Sequence, residues 1–353
     1  MTAFLVVLVI ILFGVAVLQM NKIFQLSKPD LGDTSEIATE QDNSINGYMM
    51  LGFVFFLYIL LAVCFYKWWD VLLPVSASEH GLEIDQLMLV SMALIFVVGI
   101  FTEWLLFYFA FKYRGKKDRK ALYYADNHKL EFIWTIIPII VLAGLIIYGL
   151  FTWTDIMYVD EDDDPLVIEL YAYQFDWRAR YSGDDNTLGM ANVRLIEGVN
   201  QLGVDMSDPN AQDDIVVSEL HLPVGRKVLF KMRSQDVLHS AYMPFFRAQM
   251  NCVPGMITQF GFTPNLTTTD MRLEDHIVKK VKNINKIRRD KSIDLLKNGE
   301  EGLEIYEFDY LLLCNKICGS SHYNMQMKVI VETQEEYEEW IAEQASIVES
   351  LKK

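Results

Sequence analysis

Cysteine is scarce in this chain. Only four cysteines occur among 353 residues, and only Cys314 and Cys318 lie close together in the sequence. Four are too few for a disulfide scaffold, so the close pair needs an explanation of its own. Cys64 lies in an apolar run and is interpreted as a small buried hydrophobic residue, whereas Cys252 has no cysteine neighbour in the sequence.

Positive charge is also in short supply. Lys and Arg total 31 against 47 Asp and Glu, which gives a formal net charge of −16. Because phosphate binding requires clustered Lys and Arg, this balance argues against nucleic acid as a partner. An acidic exterior suits a basic protein partner, with an attraction that weakens in salt, and it equally serves plain solubility.

Apolar residues, in contrast, make up 52% of the chain, alongside 22% charged residues. This mixture indicates an apolar membrane anchor and a separate charged region. Because roughly 20 apolar residues span a bilayer, we predict a four-helix anchor over residues 1–155. The first stretch lacks the basic region and cleavage site of a signal peptide and is interpreted as a retained span. The four apolar stretches are about 4–20, 48–66, 87–111 and 132–153.

A basic loop between the third and fourth stretches sets the expected orientation. By the positive-inside rule this loop is cytoplasmic, so the chain after the fourth stretch lies outside the cytoplasm. Glu103 falls within the third stretch, where an ionisable residue most often pairs with a neighbouring helix or has a function. The basic residues of the loop are Lys112, Arg114, Lys116, Lys117, Arg119, Lys120 and Lys129.

Short strand patterns follow an acidic run at 160–164. Alternating apolar and polar residues, with Gly225 and Pro254-Gly255 at turns, predict an antiparallel sandwich or barrel over residues 156–333. The predicted strands are 166–173, 214–222, 227–232, 255–263, 306–313 and 327–332.

Two helices are expected besides the strands. A basic amphipathic insertion at 271–297 could dock an acidic partner, such as another subunit or a haem domain, or could be a solvated surface helix. An acidic helix is predicted at the C-terminus, over residues 334–353.

The densest chemical signal is the run Cys314-Asn-Lys-Ile-Cys318-Gly-Ser-Ser-His322-Tyr-Asn-Met325. Two thiols, an imidazole and a thioether favour copper. A mononuclear blue-copper site uses one Cys and two His, so the second Cys is surplus, whereas two thiolates can bridge two metal ions. Each copper then needs a terminal nitrogen, and His239 is the best candidate for the second one.

Two other interpretations of these residues remain open. A single zinc ion could be held by Cys314, Cys318, His322 and His239 in a tetrahedral site, which would leave Met325 unused. A disulfide between the two cysteines is the other alternative in an oxidising compartment.

The C-x3-C-x3-H-x2-M run, with Asp236-Val-Leu-His239-Ser and Val253-Pro-Gly255 upstream, resembles subunit II of the haem-copper cytochrome c oxidases. The resemblance covers about residues 87–332 and includes Glu131-Phe-Ile-Trp-Thr-Ile-Ile-Pro138. It implies a membrane hairpin at about 87–153, followed by an all-β cupredoxin-like Greek-key barrel with helical insertions. The additional spans at 4–20 and 48–66 would pack on a neighbouring membrane subunit.

The resemblance also implies a function. The chain would belong to a proton-translocating oxidoreductase of a bacterial inner membrane, with the barrel on the periplasmic side. It would accept electrons from cytochrome c or a tethered haem c donor at a binuclear CuA centre. Subunit I, which the electrons reach next, would reduce oxygen. The implied ligands are His239, Cys314, the backbone carbonyl of Lys316, Cys318, His322 and Met325.

The sequence departs from the family at the subunit boundary. The family usually has Glu at the position of Lys316 and Asp at that of Asn251, and the family's Glu helps to bind magnesium. Because Lys offers no acceptor, a magnesium contact from this residue is not expected.

Two further roles follow from the resemblance. Tyr173, Phe175 and Trp177 resemble the aromatic patch where electrons are taken up, with Phe175 in the place of the family's Trp. Glu131 resembles the carboxylate at the mouth of a proton-uptake channel, and an ordinary interfacial Glu is the alternative.

Two rival functions are set against this one. A quinol oxidase subunit II has the barrel without the metal, and the intact Cys, His and Met set argues against it. A membrane-anchored copper chaperone or redox sensor would need an exposed, exchangeable site.

Overall fold

The computed structural model describes residues 2–26, 39–159 and 164–352. The chain divides into two compact units, one of residues 1–69 with 92–136 and one of residues 70–91 with 137–353. Most of the acidic run at 160–164 lies outside the described residues.

Four long helices occupy the first part of the chain: α1 (Thr2–Leu26), α2 (Glu40–Trp68), α3 (Glu79–Lys112) and α4 (His128–Met157). Among the described residues, α2, α3 and α4 are long and apolar enough to cross a membrane. They contain the three predicted stretches from 48 onward. The predicted stretch 4–20 falls in α1, of which the described apolar part, Leu8–Phe24, is shorter than the other three helices.

Aromatic side chains join α2 to α3 within the first unit. The rings of Tyr48 and Phe111 lie 4.9 Å apart, and the hydroxyl of Tyr58 donates to the carbonyl of Ile100 over 2.7 Å. Most other apolar side chains of the two helices are exposed. In membrane helices such side chains contact lipid or neighbouring subunits.

Among the described residues, the second unit contains ten strands and four further α-helices besides parts of α3 and α4. β1, β5 and β10 each contribute three or more buried residues to the core, and the strands are short because turns with Gly, Pro and Asn interrupt them. The strands are β1 (Leu166–Tyr173), β2 (Asp176–Tyr181), β3 (Ile215–Val217), β4 (Leu220–Pro223), β5 (Val228–Ser234), β6 (His239–Met243), β7 (Ala248–Cys252), β8 (Thr258–Phe262), β9 (Tyr310–Cys314) and β10 (Gln326–Glu332). The helices are α5 (Thr268–Leu273), α6 (Asp275–Lys297), α7 (Gln334–Ala342) and α8 (Ile347–Lys352).

The strands form two five-stranded sheets, in the orders β3-β2-β1-β5-β8 and β4-β10-β9-β6-β7. Their buried side chains share one core. The fold-class prediction is therefore confirmed: a helical membrane anchor is combined with a cupredoxin-like all-β barrel that has helical insertions. The pairs β1–β5 and β4–β10 are parallel, so the expectation of purely antiparallel strands was too simple. The largest fully buried side chains include Trp177, Tyr181, Phe230, Phe246 and Tyr310.

Two predicted strands differ from the observed ones. The strand predicted at 214–222 is two strands, because β3 pairs with β2 in one sheet and β4 pairs with β10 in the other. The strand predicted at 306–313 begins only at Tyr310. The residues before it run along α6 instead, where the side chain of Asn285 bonds both backbone groups of Tyr306 at 2.8–3.0 Å.

A buried ion cluster attaches the long loop between β2 and β3 to the first sheet. Arg180 lies 2.6 Å from Glu169 and 2.8 Å from Asp214, and it also donates to the carbonyl of Gly189. Arg233 donates to the other oxygen of Glu169. Two cations and two anions thus compensate each other, as buried charges require.

Burial raises the pKa of Asp214 to about 6, although Arg180 opposes the change. The folded state therefore binds this proton more tightly than the unfolded chain, and the stability contributed by Asp214 falls as the pH rises from about 4 to about 6. Relative to the wild type, Asp214→Asn should gain stability across that window, by on the order of 1–3 kcal/mol.

Thermal unfolding of the detergent-solubilised protein, followed by circular dichroism between pH 4 and 7, checks this expectation. The exposed Asp294 provides the control, because Asp294→Asn should track the wild type at every pH. A difference between Asp214→Asn and the wild type that does not change with pH contradicts the assignment.

Candidate metal centre

The predicted metal-binding residues come from two adjacent strands of the second sheet. β6 begins at His239 and β9 ends at Cys314, and the register pairs Ala241 with Cys314. The loop that leaves β9 is closed at its base, because the amide of Cys314 donates to the carbonyl of Met325 over 3.1 Å. The amide of Asn315 donates to β6 at the carbonyl of Ser240 over 3.0 Å.

The donor atoms converge. The sulfurs of Cys314 and Cys318 are 3.8 Å apart, against about 2.0 Å in a disulfide, and both thiols are free. His239 Nδ1 lies 3.7 Å from the Cys314 sulfur, and His322 Nδ1 lies 3.7 Å from the Cys318 sulfur. The thioether of Met325 lies 3.7 Å from the Cys318 sulfur. Each thiol therefore has one imidazole beside it.

The backbone of Lys316 faces the thiols while its side chain is exposed. The thiol of Cys314 donates to the Lys316 carbonyl over 3.2 Å, and the side chain lies in solvent. A carbonyl is thus directed at the sulfur pair, whereas the cationic end of the side chain is not. Asn251 is exposed on β7.

Asp236 orients the first imidazole. Its carboxylate accepts from His239 Nε2 over 2.9 Å and from the amides of Gln174 and Val237 over 2.7 Å each. Although partial burial opposes it, these hydrogen bonds hold the pKa of Asp236 below its ordinary value. Nε2 is therefore the protonated nitrogen of His239. Nδ1 carries no proton, so its lone pair on the thiol side can bind a metal ion.

No role was predicted for Asp236 or Gln174 from the sequence. Gln174 donates from its side chain to the carbonyl of Cys318 over 2.5 Å, so it fixes the middle of the metal loop. For Asp236 a signal was available, because it lies three residues before a candidate ligand. For Gln174 there was none, because it is distant from the loop in sequence.

The burial of Cys318 affects the protonation of its thiol. Burial, followed by the nearby Cys314, raises the pKa of Cys318 to about 11. A thiol with such a pKa gives up its proton only when a positive ion takes the proton's place. The Cys318 thiol is therefore suited to binding metal and poorly suited to acting as a free thiolate.

The three predicted electron-uptake aromatics occupy different places. Trp177 is fully buried, with its ring 6.2 Å from that of His239. Phe175 packs on the metal loop at Gly319, where an added Cβ would lie 2.7 Å from the Phe175 ring. Tyr173 is half-buried and donates to Asp176 over 3.1 Å.

Glu131 lies in the first turn of α4. Its carboxylate accepts from the amide of Asn127 over 3.3 Å and lies 3.4 Å from His128 Nδ1. The side chain is 43% exposed, so it is open to water or to another subunit.

Comparison with known proteins identifies the family. A model described as the transmembrane domain of cytochrome C oxidase subunit II matches residues 66–151. The "Alternative cytochrome c oxidase subunit 2" of Bradyrhizobium diazoefficiens is 33% identical over 249 residues, which cover 69% of this chain and 75% of that protein. The chain belongs to the cytochrome c oxidase subunit II family.

Other relatives agree with this assignment. The "Cytochrome c oxidase subunit 2" of Alkalihalophilus pseudofirmus is 26% identical over 74% of this chain, and the match covers 58% of that protein. The periplasmic domain of subunit II of the cytochrome oxidase of Bradyrhizobium japonicum aligns with 16% identity and a TM-score of 0.29, over 50% of this chain and 91% of that one. That structural likeness is too weak to carry an argument.

As a subunit II, the chain is a membrane-bound component of an oxidoreductase complex. Its family is copper-containing, and the sulfur and imidazole donors found here fit that metal. His239, Cys314 and Cys318 offer donor atoms that all lie within 4.8 Å of one another.

The Cys318→Ser variant of this subunit II should lose its copper. The Cys318 sulfur is the one that lies next to Cys314, His322 and Met325 at once, and a hydroxyl is a poor ligand for this soft metal. Metal analysis of the purified protein measures the loss.

The matched control is Cys252→Ala. Cys252 is also a buried free thiol, but it lies on β7 outside the metal loop. This variant should keep wild-type copper content. Full copper content in Cys318→Ser would contradict the assignment of the sulfur pair as copper ligands.

Proposed function

We propose that this subunit relays electrons within a respiratory cytochrome c oxidase. Electrons arrive from cytochrome c or a tethered haem c domain, cross a CuA centre and pass to haem in subunit I, where oxygen reduction is coupled to proton pumping. One observation carries the proposal: two thiols lie 3.8 Å apart, each beside its own imidazole nitrogen. A single tetrahedral ion would also place two sulfurs about 3.8 Å apart, but it needs all four donors close together. The donor atoms that lie within 4.8 Å of one another are those of His239, Cys314 and Cys318, without His322. One imidazole on each side of the sulfur pair therefore favours two ions that share the two sulfurs.

The residues divide the binding of the copper pair among them. When bound, the pair would supply reversible one-electron chemistry. The two cysteines would provide sulfur ligands for both ions, and each histidine would provide a nitrogen ligand on its own side. The weaker contacts come from the Met325 thioether and the Lys316 carbonyl. The proposed ligand set is His239, Cys314, Lys316 through its carbonyl, Cys318, His322 and Met325.

Rigidity suits this set to electron transfer. His239 is completely buried, and Cys314, Cys318 and Met325 are at most 9% exposed. Strands and short hydrogen bonds hold the donors, so their positions change little between oxidation states. A closed site of this kind also argues against a chaperone, which must release its copper to a partner.

The surroundings suggest how electrons reach the site. Phe175 packs on the metal loop and is partly exposed, whereas Trp177 is buried beneath His239. Phe175 is therefore proposed as the first aromatic that a donor meets, and Trp177 as a packing residue for the ligand. A magnesium contact from the Lys316 side chain is not part of the proposal, because that side chain is an exposed cation.

The proposed location is a bacterial inner membrane, with the barrel on the periplasmic side. Subunit I and other membrane subunits would cover the apolar faces of α2, α3 and α4, together with lipid. The basic loop before α4 supports a cytoplasmic position for Glu131. Glu131 is then placed to collect protons for subunit I.

Copper stoichiometry tests the relay. The purified oxidase should hold two copper ions in this subunit, with the paramagnetic resonance spectrum of one electron shared equally by two nuclei. No copper would favour a quinol oxidase subunit, and one labile ion would favour a chaperone. Either result would overturn the proposal.

Proton uptake provides a separate test. Glu131→Gln should lower oxidase turnover by about tenfold, because the amide cannot exchange a proton at this position. The copper spectrum should not change. Asp126→Asn, at an exposed carboxylate in the loop just before α4, is the control and should keep wild-type turnover. Normal turnover in Glu131→Gln would make Glu131 an ordinary interfacial residue.

A further inference from the structure

The segment that precedes α3 is built into the barrel, although it lies far ahead of the barrel in the sequence. The amide of Ala77 donates to the carbonyl of Phe245 over 2.7 Å, and the hydroxyl of Ser78 donates to that of Phe246 over 2.7 Å. On its other side, the carbonyl of Ala77 accepts from the amide of Asn265 over 3.0 Å. Ala77 and Ser78 are completely buried. The start of α3 is therefore attached directly to the turn between β6 and β7.

Arg247 stabilises the attachment of this segment to the β6–β7 turn. Its guanidinium makes a two-pronged ion pair with Asp85 of α3, both contacts at 2.8 Å. The same group donates to the carbonyl of Pro74 over 2.6 Å and to that of Pro244 over 2.7 Å. The side chain is only 9% exposed. Arg247 thus holds both the segment before α3 and the first turns of α3, in a geometry that the planar fork of arginine matches and lysine does not.

Gly81 shows how tightly the parts fit. An added Cβ at this position would lie 2.1 Å from Ser76 Oγ, 2.7 Å from Ser78 Oγ and 3.2 Å from Arg247 Cγ. The first turn of α3 therefore rests against the Arg247 side chain itself. The contact allows little sliding between the helix and the barrel.

The hairpin held by Arg247 also carries a proposed metal ligand. β6 begins at His239, and Arg247 lies in the turn that joins β6 to β7. The two strands pair from His239 with Cys252 to Met243 with Ala248. The imidazole is thus separated from the turn by about 13 Å of paired strand. A displacement of the turn relative to α3 would be carried to His239.

We propose that Arg247 and Asp85 are positioning residues, which set the place of the metal centre relative to the first turns of α3. The inference rests on the proposed function, because α3 is long and apolar enough to cross a membrane, where subunit I would hold the electron acceptor. Electron-transfer rates fall steeply with distance. A loose joint would therefore slow the step from the metal centre to haem without altering the centre itself.

The experiment uses the intact purified oxidase with Arg247→Lys or Asp85→Asn. Laser-flash reduction of the copper centre, followed by the absorbance of the haem, measures the internal electron-transfer rate. In both variants this rate should fall by about tenfold. Copper content, the paramagnetic resonance spectrum and the reduction potential of the copper centre should match the wild type.

Arg272→Lys is the matched control. Arg272 also donates to a backbone carbonyl, that of Phe308 over 2.7 Å, and to a carboxylate, that of Asp309 over 2.8 Å. It lies in α5, and its hydrogen bonds go to Phe308 and Asp309, not to the β6–β7 turn or to α3. The control should keep the wild-type internal rate.

Three outcomes would overturn the inference. The variants could transfer electrons at the control rate, or the rate could fall together with a changed spectrum or potential. Asp85→Asn, which preserves the shape of the carboxylate, could also lose copper or fail to assemble. The Arg247–Asp85 contact would then be needed for folding and not for the distance between the metal centre and the haem. A wild-type oxidase without the copper-pair spectrum would instead overturn the proposed function, so the two failures are distinguishable.

Discussion

The chemistry proposed for this subunit depends on two sulfur atoms that are held close together without bonding to each other. Cys314 ends a paired strand, and Cys318 lies in a loop whose base is closed by the hydrogen bond from Cys314 to Met325. The barrel therefore fixes one sulfur, and the closed loop fixes the other. Such a gap would accommodate metal ions between the thiols, and the flanking imidazoles would complete the proposed ligand set.

Support for this gap comes from outside the loop. Asp236 orients His239, and Gln174 holds the carbonyl of Cys318. Both contacts reach the site from loops next to other strands, so the site requires the assembled barrel. This arrangement explains why a short motif alone would not create the centre. It also gives the centre a stable geometry. A stable geometry suits electron transfer, whereas exchanging metal with a partner requires a site that opens.

The two parts of the chain meet different solvents, and their side chains differ accordingly. The apolar faces of α2, α3 and α4 remain exposed in the isolated chain, because lipid and neighbouring subunits would cover them. The barrel instead buries its apolar residues and compensates its few buried charges in pairs, as with Glu169 and Arg180. The joint at Arg247 belongs to the barrel and holds the first turns of α3 to it.

The sequence by itself determined the apolar helices, the barrel class and the residues of the metal loop, because hydropathy, alternation and ligand spacing are local properties. Only the tertiary structure decided which strands became neighbours. It split the predicted strand 214–222 between two sheets and directed residues 303–306 along α6. It also brought Gln174 to Cys318 and Arg247 to Asp85. These contacts join residues that are distant in sequence, and packing selects such partners where no local pattern marks them.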